Sequence, residues 1–443
     1  MIEEQALATV PPPLRTGLLR SLSAKTWVEA VPEAAYRTGL WRFPGPVPFL
    51  VVNDPAAIKH ILLDNMENWP KADLQLRFAS MILGEGLLLS EGPVWRAHRK
   101  LMAPAFDPRS VAALAPMMAA AAATASAGWR EGPIDLMTEL SRLTLRIISS
   151  AMFSDASDEL AALVAEAVPE ALALRPSLLD LTPGLGAFSL AAREKQSARI
   201  FARLNDAVFR LIDARRAAGE AAPDDLLTRL VQSRDETGAG LTDAEIRDQA
   251  VTVYVAGHET TSVALNWTFY VLSQRPEIAA GLAAEWADVL GERPVTAADA
   301  PRLVYTRAVI EETMRLYPPA ALLGRQAVAA DSLAGMPVKA GQLAMISPWV
   351  LHRNPDLWPE PERFDPARFL LGAPARPRFA YLPFGAGPHI CIGAQLAMTE
   401  AVVVLATLAR QWRFQVEPDQ TIALRHRATL RPADPIGFRA VRR

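Results

Sequence analysis

The chain of 443 residues contains one cysteine, Cys391. A single thiol excludes an intrachain disulfide and a cysteine-held iron–sulfur cluster, and it fits a reducing compartment. Charge of one sign is also lacking. Net charge is −2, which leaves no electrostatic footprint for nucleic acid. Repeats and low-complexity segments are absent. The first residues, from Met1 to Leu22, have no charged start followed by a continuous apolar stretch, so neither signal peptide nor anchor is expected. The longest uncharged run, Ser110 to Gly128, is alanine-rich and contains Pro116. Alanine drives membrane insertion poorly, so this run reads as a soluble helix and no membrane span is expected. A cytoplasmic location and a monomer are the corresponding expectations.

What is present is apolar material: 51% of the residues are hydrophobic, enough for a large core. Phe43-Pro44-Gly45-Pro46-Val47-Pro48 is a turn leading to a short strand, Phe49 to Val52. Asp54 is placed to cap a helix starting at Pro55. Helical stretches follow, punctuated at Pro104, Pro133, Pro183-Gly184 and Pro223. Thr242 and Glu245 have capping-box spacing, and helical residues continue from there to about Gln274, before Pro276. A helix of roughly 30 residues is about 45 Å long. Its middle, Val251 to Leu265, is almost wholly apolar and is expected to be buried all round. After residue 320 short strand-like runs and prolines take over, until a last helix over Ile392 to Gln411. The expected fold is mainly α with a smaller β region, in one domain over residues 1–443. The β-containing part falls within about 40–75 and 320–443, the helical part at about 90–315 and 392–411.

Four patterns carry chemistry. In Phe384-Gly385-Ala386-Gly387-Pro388-His389-Ile390-Cys391-Ile392-Gly393, glycines and a proline hold a rigid loop just before a helix. Helix N–H groups there favour a thiolate, an electron-rich axial ligand for haem iron that eases O–O cleavage. A lone cysteine is more often a small buried hydrophobe. The loop spacing matches neither G-x-G-x-x-G nor the lysine-bearing phosphate loop.

The second pattern, Ala256-Gly257-His258-Glu259-Thr260-Thr261, lies midway along the long helix. A helix-interior glycine costs about 1 kcal/mol relative to alanine. Close approach of a flat cofactor, a local distortion, or simple helix packing would each account for it. An adjacent acid and hydroxyl can relay protons; alternatively, Glu259 pairs with a buried arginine.

The third is Glu312-Thr313-Met314-Arg315, followed by Leu316-Tyr317-Pro318-Pro319. Residues three apart share a helix face and can pair. The fourth, Trp95-Arg96-Ala97-His98-Arg99-Lys100, puts Trp95 and Arg99 on one face, where they can bind an anion together. A solvated basic face is the plainer alternative.

In their order along the chain and at these separations the four patterns resemble the cytochrome P-450 superfamily, in its soluble bacterial form, over residues 95 to 397. The position two before the cysteine, often arginine in that family, is His389. It can still donate to a haem propionate, with a charge that depends on pH.

The resemblance implies the cytochrome P-450 fold, with haem b held by Cys391 under the long central helix. Phe384, Gly385, Gly393, Ala256 and Gly257 are implied to border the haem. Trp95, Arg99, His389 and Arg325 are the implied propionate ligands. Thr260 matches the key hydroxyl and Glu259 the acid beside it. Glu312 and Arg315 match a buried pair joined by a second arginine, for which Arg368 fits better than Arg363.

The implied reaction is monooxygenation. Dioxygen is consumed, one oxygen atom enters a C–H or C=C bond, and electrons come from NAD(P)H through separate partners, a ferredoxin and its reductase. Arg96 and Lys100 are weak candidates for docking that donor. By family position the substrate meets residues near Leu87 and Leu88, Val253, Ala320, Leu322 and Ala428. These apolar residues suit fatty acids, terpenoids, steroids or aromatic hydrocarbons, and the Leu316-Tyr317-Pro318-Pro319 ending gives fatty acids a slight preference. A peroxide-driven oxygenase, or a haem sensor or carrier without turnover, is the alternative.

Overall fold

The computed structural model describes residues 31–43, 49–72, 80, 83–154, 162–163, 185–296, 298–418, 420–426 and 428–443. The turn at 44–48, the Pro183-Gly184 break and the amino-terminal 30 residues lie outside the described residues.

Helix α1 (Glu33–Arg37) leads into the antiparallel pair β1 (Leu40–Phe43) and β2 (Phe49–Val52). Asp54 caps α2 (Pro55–Lys59): its carboxylate accepts from the Ala57 N–H at 2.7 Å, and Pro55 fills the first helical turn. A π turn, His60–Asp64, continues it. Next come α3 (Gly92–Met102) and α4 (Pro108–Ala127). A short strand, β3 (Gly132–Ile134), then stands at the expected Pro133 break in the mainly helical stretch. Its partners are Phe438, Arg439 and Ala440, a pairing that local periodicity cannot reveal.

Helices α5 (Leu136–Phe153), α6 (Leu185–Ala218) and α7 (Leu226–Gln232) precede the long helix α8 (Asp243–Gln274). The start of α8 is a reciprocal capping box. The Thr242 N–H donates to Glu245 Oε2 at 2.8 Å, and the Glu245 N–H donates to Thr242 Oγ1 at 3.3 Å. Pro276 opens α9 (Pro276–Val289), and α10 (Val304–Leu316) follows. Strands β4 (Leu323–Gln326), β5 (Asp331–Leu333), β6 (Met336–Val338) and β7 (Leu343–Ile346) lead to α11 (Pro348–Leu351). Helix α12 (Ala394–Gln411) begins two residues later than expected, because the Ala394 N–H bonds the Cys391 carbonyl in a tight turn at 3.4 Å. The chain closes with β8 (Trp412–Val416), β9 (Leu424–His426), β10 (Leu430–Pro432) and β11 (Phe438–Arg442).

These elements form two compact units. One comprises Met1–Pro70, Val111–Leu143 and Glu259–Arg443; the other, Lys71–Ser110 and Thr144–His258. In the first, a four-stranded sheet runs β1-β2-β7-β4, parallel only between β2 and β7. Leu50, Val52, Ile58, Ile61, Trp69 and Ile346 form its apolar core. A second sheet is ordered β3-β11-β8. Along α12, Val403, Val404, Leu405 and Ala406 are fully buried, so this helix has no solvent face in its middle. In the second unit, Phe201 and Ile212 of α6, Leu227 of α7 and Ile246 and Ala250 of α8 are buried.

Two expectations about apolar helices need comment. Among the described residues α4 alone is long and apolar enough to cross a membrane by length and composition. It buries Val111, Ala115, Met118 and Ala122 in the protein. The middle of α8 is not buried all round, as its composition predicts. Val263 and Leu265 are, but Ala256 is exposed and Val255, Gly257, His258 and Thr260 are only partly covered. Ala256 and Thr260 are one helical turn apart, so one stripe of the helix is less covered than the rest. Periodicity reports polarity and not what will cover a face.

Candidate active site

The loop before α12 is shaped by glycine. Gly385 and Gly387 have φ of 71° and 70°, the left-handed region that side chains disfavour. A Cβ on Gly387 would also overlap the Leu62 carbonyl oxygen. The Cys391 N–H donates to the Phe384 carbonyl at 2.9 Å, and the Ile390 N–H to Gly387 at 3.1 Å. The loop is thereby pinned at both ends while Cys391 is exposed and Ile390 is 41% exposed. The nearest heavy atom to a Cβ built on Gly393 would be Cys391 Sγ, at 4.0 Å. His389 is half-buried, as is Arg325 on β4, whose Nη1 donates to the Gly324 carbonyl.

Glu312 and Arg315 on α10 are fully buried. Arg315 donates to Glu312 through Nε (2.7 Å) and Nη2 (2.9 Å), and to the carbonyls of His352, Pro361 and Arg363 at 2.6–3.0 Å. Arg368 Nε lies 3.5 Å from Glu312 Oε1. The Arg363 side chain instead meets Glu360 at the surface, so Arg368 is the arginine that joins the pair. Burial pushes the Glu312 carboxyl up, against the pull of Arg315. His352 completes the cluster. Its Nε2 accepts the Leu382 N–H at 2.9 Å, so its Nδ1 is the nitrogen that donates to the Arg315 carbonyl, at 3.2 Å. Burial, with Arg315 nearby, holds it neutral by pushing its pKa well down.

On α8, Glu259 is buried and meets partners that sequence reasoning missed. Thr429 Oγ1 donates to Glu259 Oε1 at 2.8 Å, and Arg431 Nη1 stands 3.3 Å from the same oxygen. The arginine imagined for Glu259 exists, but on a hairpin remote in sequence. Thr260 is partly exposed beside it.

In the second unit, a Cβ on Gly257 would lie 3.1 Å from Ile148 Cδ1. Ile148 of α5 therefore packs closely against this glycine. Trp95 is buried, and Arg99 is half-buried one turn further along α3. Between them His98 is a satisfied core histidine. Its Nδ1 accepts from Gln249 Nε2 at 3.0 Å, while Gln249 Oε1 takes the Leu87 N–H at 2.8 Å. Only its place among donors in the fourth pattern hinted at this. Lys100 is paired with Glu236 at the surface, and Arg96 is likewise exposed. Leu87 and Val253 are buried, whereas Leu88 is 50% exposed. In the first unit Ala320 and Leu322 are partly covered and Ala428 is exposed.

Comparison with known proteins agrees with the pattern of these residues. The family model described as Cytochrome P450 matches residues 34–438. Cyclooctat-9-en-7-ol 5-monooxygenase of Streptomyces melanosporofaciens is 34% identical over 422 residues, covering 89% of this chain and 90% of that one. Pentalenene oxygenase of Streptomyces avermitilis is 34% identical over 383 residues, covering 85% and 84%. Among solved structures, the heme domain of a cytochrome P450DA mutant superposes with a TM-score of 0.80 at 26% identity, covering 91% of this chain and 90% of that one.

Proposed function

The chain belongs to the cytochrome P450 family, and on that premise we propose which residues do its chemistry and which substrates it takes. As a member it is a monooxygenase: with haem b, dioxygen and NAD(P)H-derived electrons relayed by redox partners, it oxidises an apolar small molecule.

The residues present fit the cofactor. Among the described residues no three His, Cys, Asp or Glu side chains cluster as a metal site. A single exposed thiol on a pinned loop is instead the donor set for an iron whose other ligands belong to a macrocycle. Exposure of Cys391 on that loop is the observation that carries the assignment. Bound haem supplies the place where dioxygen is held and reduced. Cys391 would hold the haem iron through its thiolate, and Phe384, Gly385 and Gly393 would keep the loop in shape around it. Ala256, exposed on α8, presents only a methyl group and would admit a flat ring. Trp95, Arg99, Arg325 and His389 hold the propionates by charge-assisted hydrogen bonds. Thr260 donates and relays protons from its half-open position, and Glu259 supplies them. Glu312, Arg315 and Arg368 hold the fold that carries the loop.

The substrate is a cyclic terpenoid. The names of the two relatives favour this class over the fatty acids preferred from the Leu316–Pro319 ending. The presented residues Leu88, Ala320, Leu322 and Ala428 support it, since none has a charge to receive a carboxylate. A ferredoxin-type donor docks near Arg96 and Lys100, and the enzyme works as a soluble monomer in the cytoplasm. The whole chain acts as one haem-thiolate domain.

Titrating the holoenzyme with cyclic terpene hydrocarbons, their alcohols and straight-chain fatty acids tests the substrate class through the shift of the haem absorption band. Product analysis with ferredoxin and its reductase completes the test. Terpenoids are expected to bind and be hydroxylated; binding and oxidation of fatty acids alone would overturn the assignment.

A further inference from the structure

We propose that Thr429 and Arg431 are positioning residues for proton delivery, holding the carboxylate of Glu259 and tying it to the hairpin turn that carries Ala428. The inference rests on the reading of Glu259 as the acid that feeds protons to Thr260.

Both contacts fall on one oxygen, Glu259 Oε1, so Oε2 takes no part in either and is the oxygen left to exchange a proton. The two donors differ in kind. Thr429 is 4% exposed, and its hydroxyl donates to the carboxylate at 2.8 Å in a buried setting. Arg431 has a side chain 31% exposed, so its pairing is partly screened. Thr429 therefore sets the direction of the carboxylate, and Arg431 adds a cation at its edge.

Thr429 and Arg431 flank Leu430, the first residue of β10, which is fully buried and paired with His426 of β9. The Leu430 N–H does not turn to solvent. It donates to the Pro319 carbonyl at 2.9 Å, one residue before Ala320. The turn is thus fastened on one side to the segment bearing Ala320 and Leu322, and on the other to Glu259. Ala428, exposed at its tip, sits next to the residue that grips the acid. A substrate pressing on Ala428 or Ala320 acts on the same short hairpin that orients Glu259. Coupling of this kind is reciprocal: whatever Glu259 gains from the turn, the turn gains from Glu259.

Holoenzymes carrying Glu259→Gln, Thr429→Val, Thr429→Ser, Arg431→Met and Arg431→Lys test this. The first readout is product formed per NAD(P)H consumed, with hydrogen peroxide measured alongside. A hydrogen bond to a charged group corresponds to roughly tenfold or more in rate. Thr429→Val is expected to cost about that factor in the coupled rate, and Arg431→Met less. The substrate dissociation constant by spectral titration should move less than the coupling does. Thr429→Ser and Arg431→Lys should restore coupling, a rescue that a merely structural role does not predict. The second readout needs no turnover. Amide hydrogen exchange at Leu430 should speed up in Glu259→Gln and in Thr429→Val alike.

If Glu259→Gln leaves coupling intact, the reading of Glu259 has failed, and this inference with it. If Glu259→Gln uncouples while Thr429→Val and Arg431→Met do not, the reading stands and this inference is overturned. Unchanged exchange at Leu430 in Glu259→Gln would equally overturn it.

Discussion

Replacing Arg315 by methionine removes the most heavily used guanidinium in the described structure while keeping much of its stem. Five donor contacts are lost: two to Glu312 and one each to the carbonyls of His352, Pro361 and Arg363. The guanidinium also lies 5.1 Å from the centre of the Trp358 ring. Both Arg315 and Glu312 are at 0% exposure, so no water is at hand to replace the missing donors. Removing one partner of a buried pair costs about 3–5 kcal/mol, because the other charge is left without compensation. Glu312 keeps the Asp365 N–H at 2.8 Å and Arg368 at 3.5 Å, which offset part of that. The three orphaned carbonyls act in the opposite sense, at about 1 kcal/mol or more each. A net loss of about 4 kcal/mol is therefore expected, a large share of a typical folding free energy of about 5–15 kcal/mol. Glu312→Gln should cost less, since Arg315 then retains its three carbonyl acceptors. Arg315→Lys should still lose about 2 kcal/mol or more, because an ammonium cannot span five acceptors. Urea unfolding, followed by circular dichroism and by haem absorbance, measures all three. A loss under about 1 kcal/mol for Arg315→Met would refute the reasoning, since that is the range of exposed pairs.

Two further outcomes follow from the same geometry. Gly387→Ala places a side chain at φ 70° and against the Leu62 carbonyl. It should lower haem content and thermal stability together, and wild-type haem content in this variant would contradict the account of the loop. Asp331 Oδ2 accepts from Trp69 Nε1 at 2.8 Å and His60 Nε2 at 2.9 Å. Burial alone would raise its carboxyl, but these hydrogen bonds, with the Ser332 N–H, win and hold it far below the usual range. The unfolded chain thus binds this proton more readily than the fold does. The stabilisation is complete above about pH 4 and is lost as pH falls from there toward the depressed folded value. Asp331→Asn should flatten that acid limb in urea midpoints, and an unaltered slope would count against it.

Local patterns were readable because their physics is local. The Asp54 cap, the Thr242–Glu245 box and the end of α8 before Pro276 each depend on residues within one helical turn. What sequence reading missed depends on distant partners. β3 pairs with residues 438–440, and Glu259 finds Thr429 at a separation of 170 residues. Family placement favours Arg368 over Arg363 as the second arginine, and the geometry puts the Arg368 side chain 3.5 Å from Glu312 while Arg363 pairs with Glu360. Gly257 shows the converse. Cofactor approach, distortion and helix packing each suit a glycine there, and the described contact is with Ile148. Ala256, one residue earlier, is the uncovered position, and hydropathy cannot separate two small neighbours on one helix.

Ligation of iron by the Cys391 thiolate is the central claim, and one spectrum addresses it directly. The purified protein, reduced and exposed to carbon monoxide, should show the strongly red-shifted Soret band of thiolate-ligated haem. A band typical of imidazole ligation, or no haem at all, would contradict the account and leave Cys391 without its assigned role.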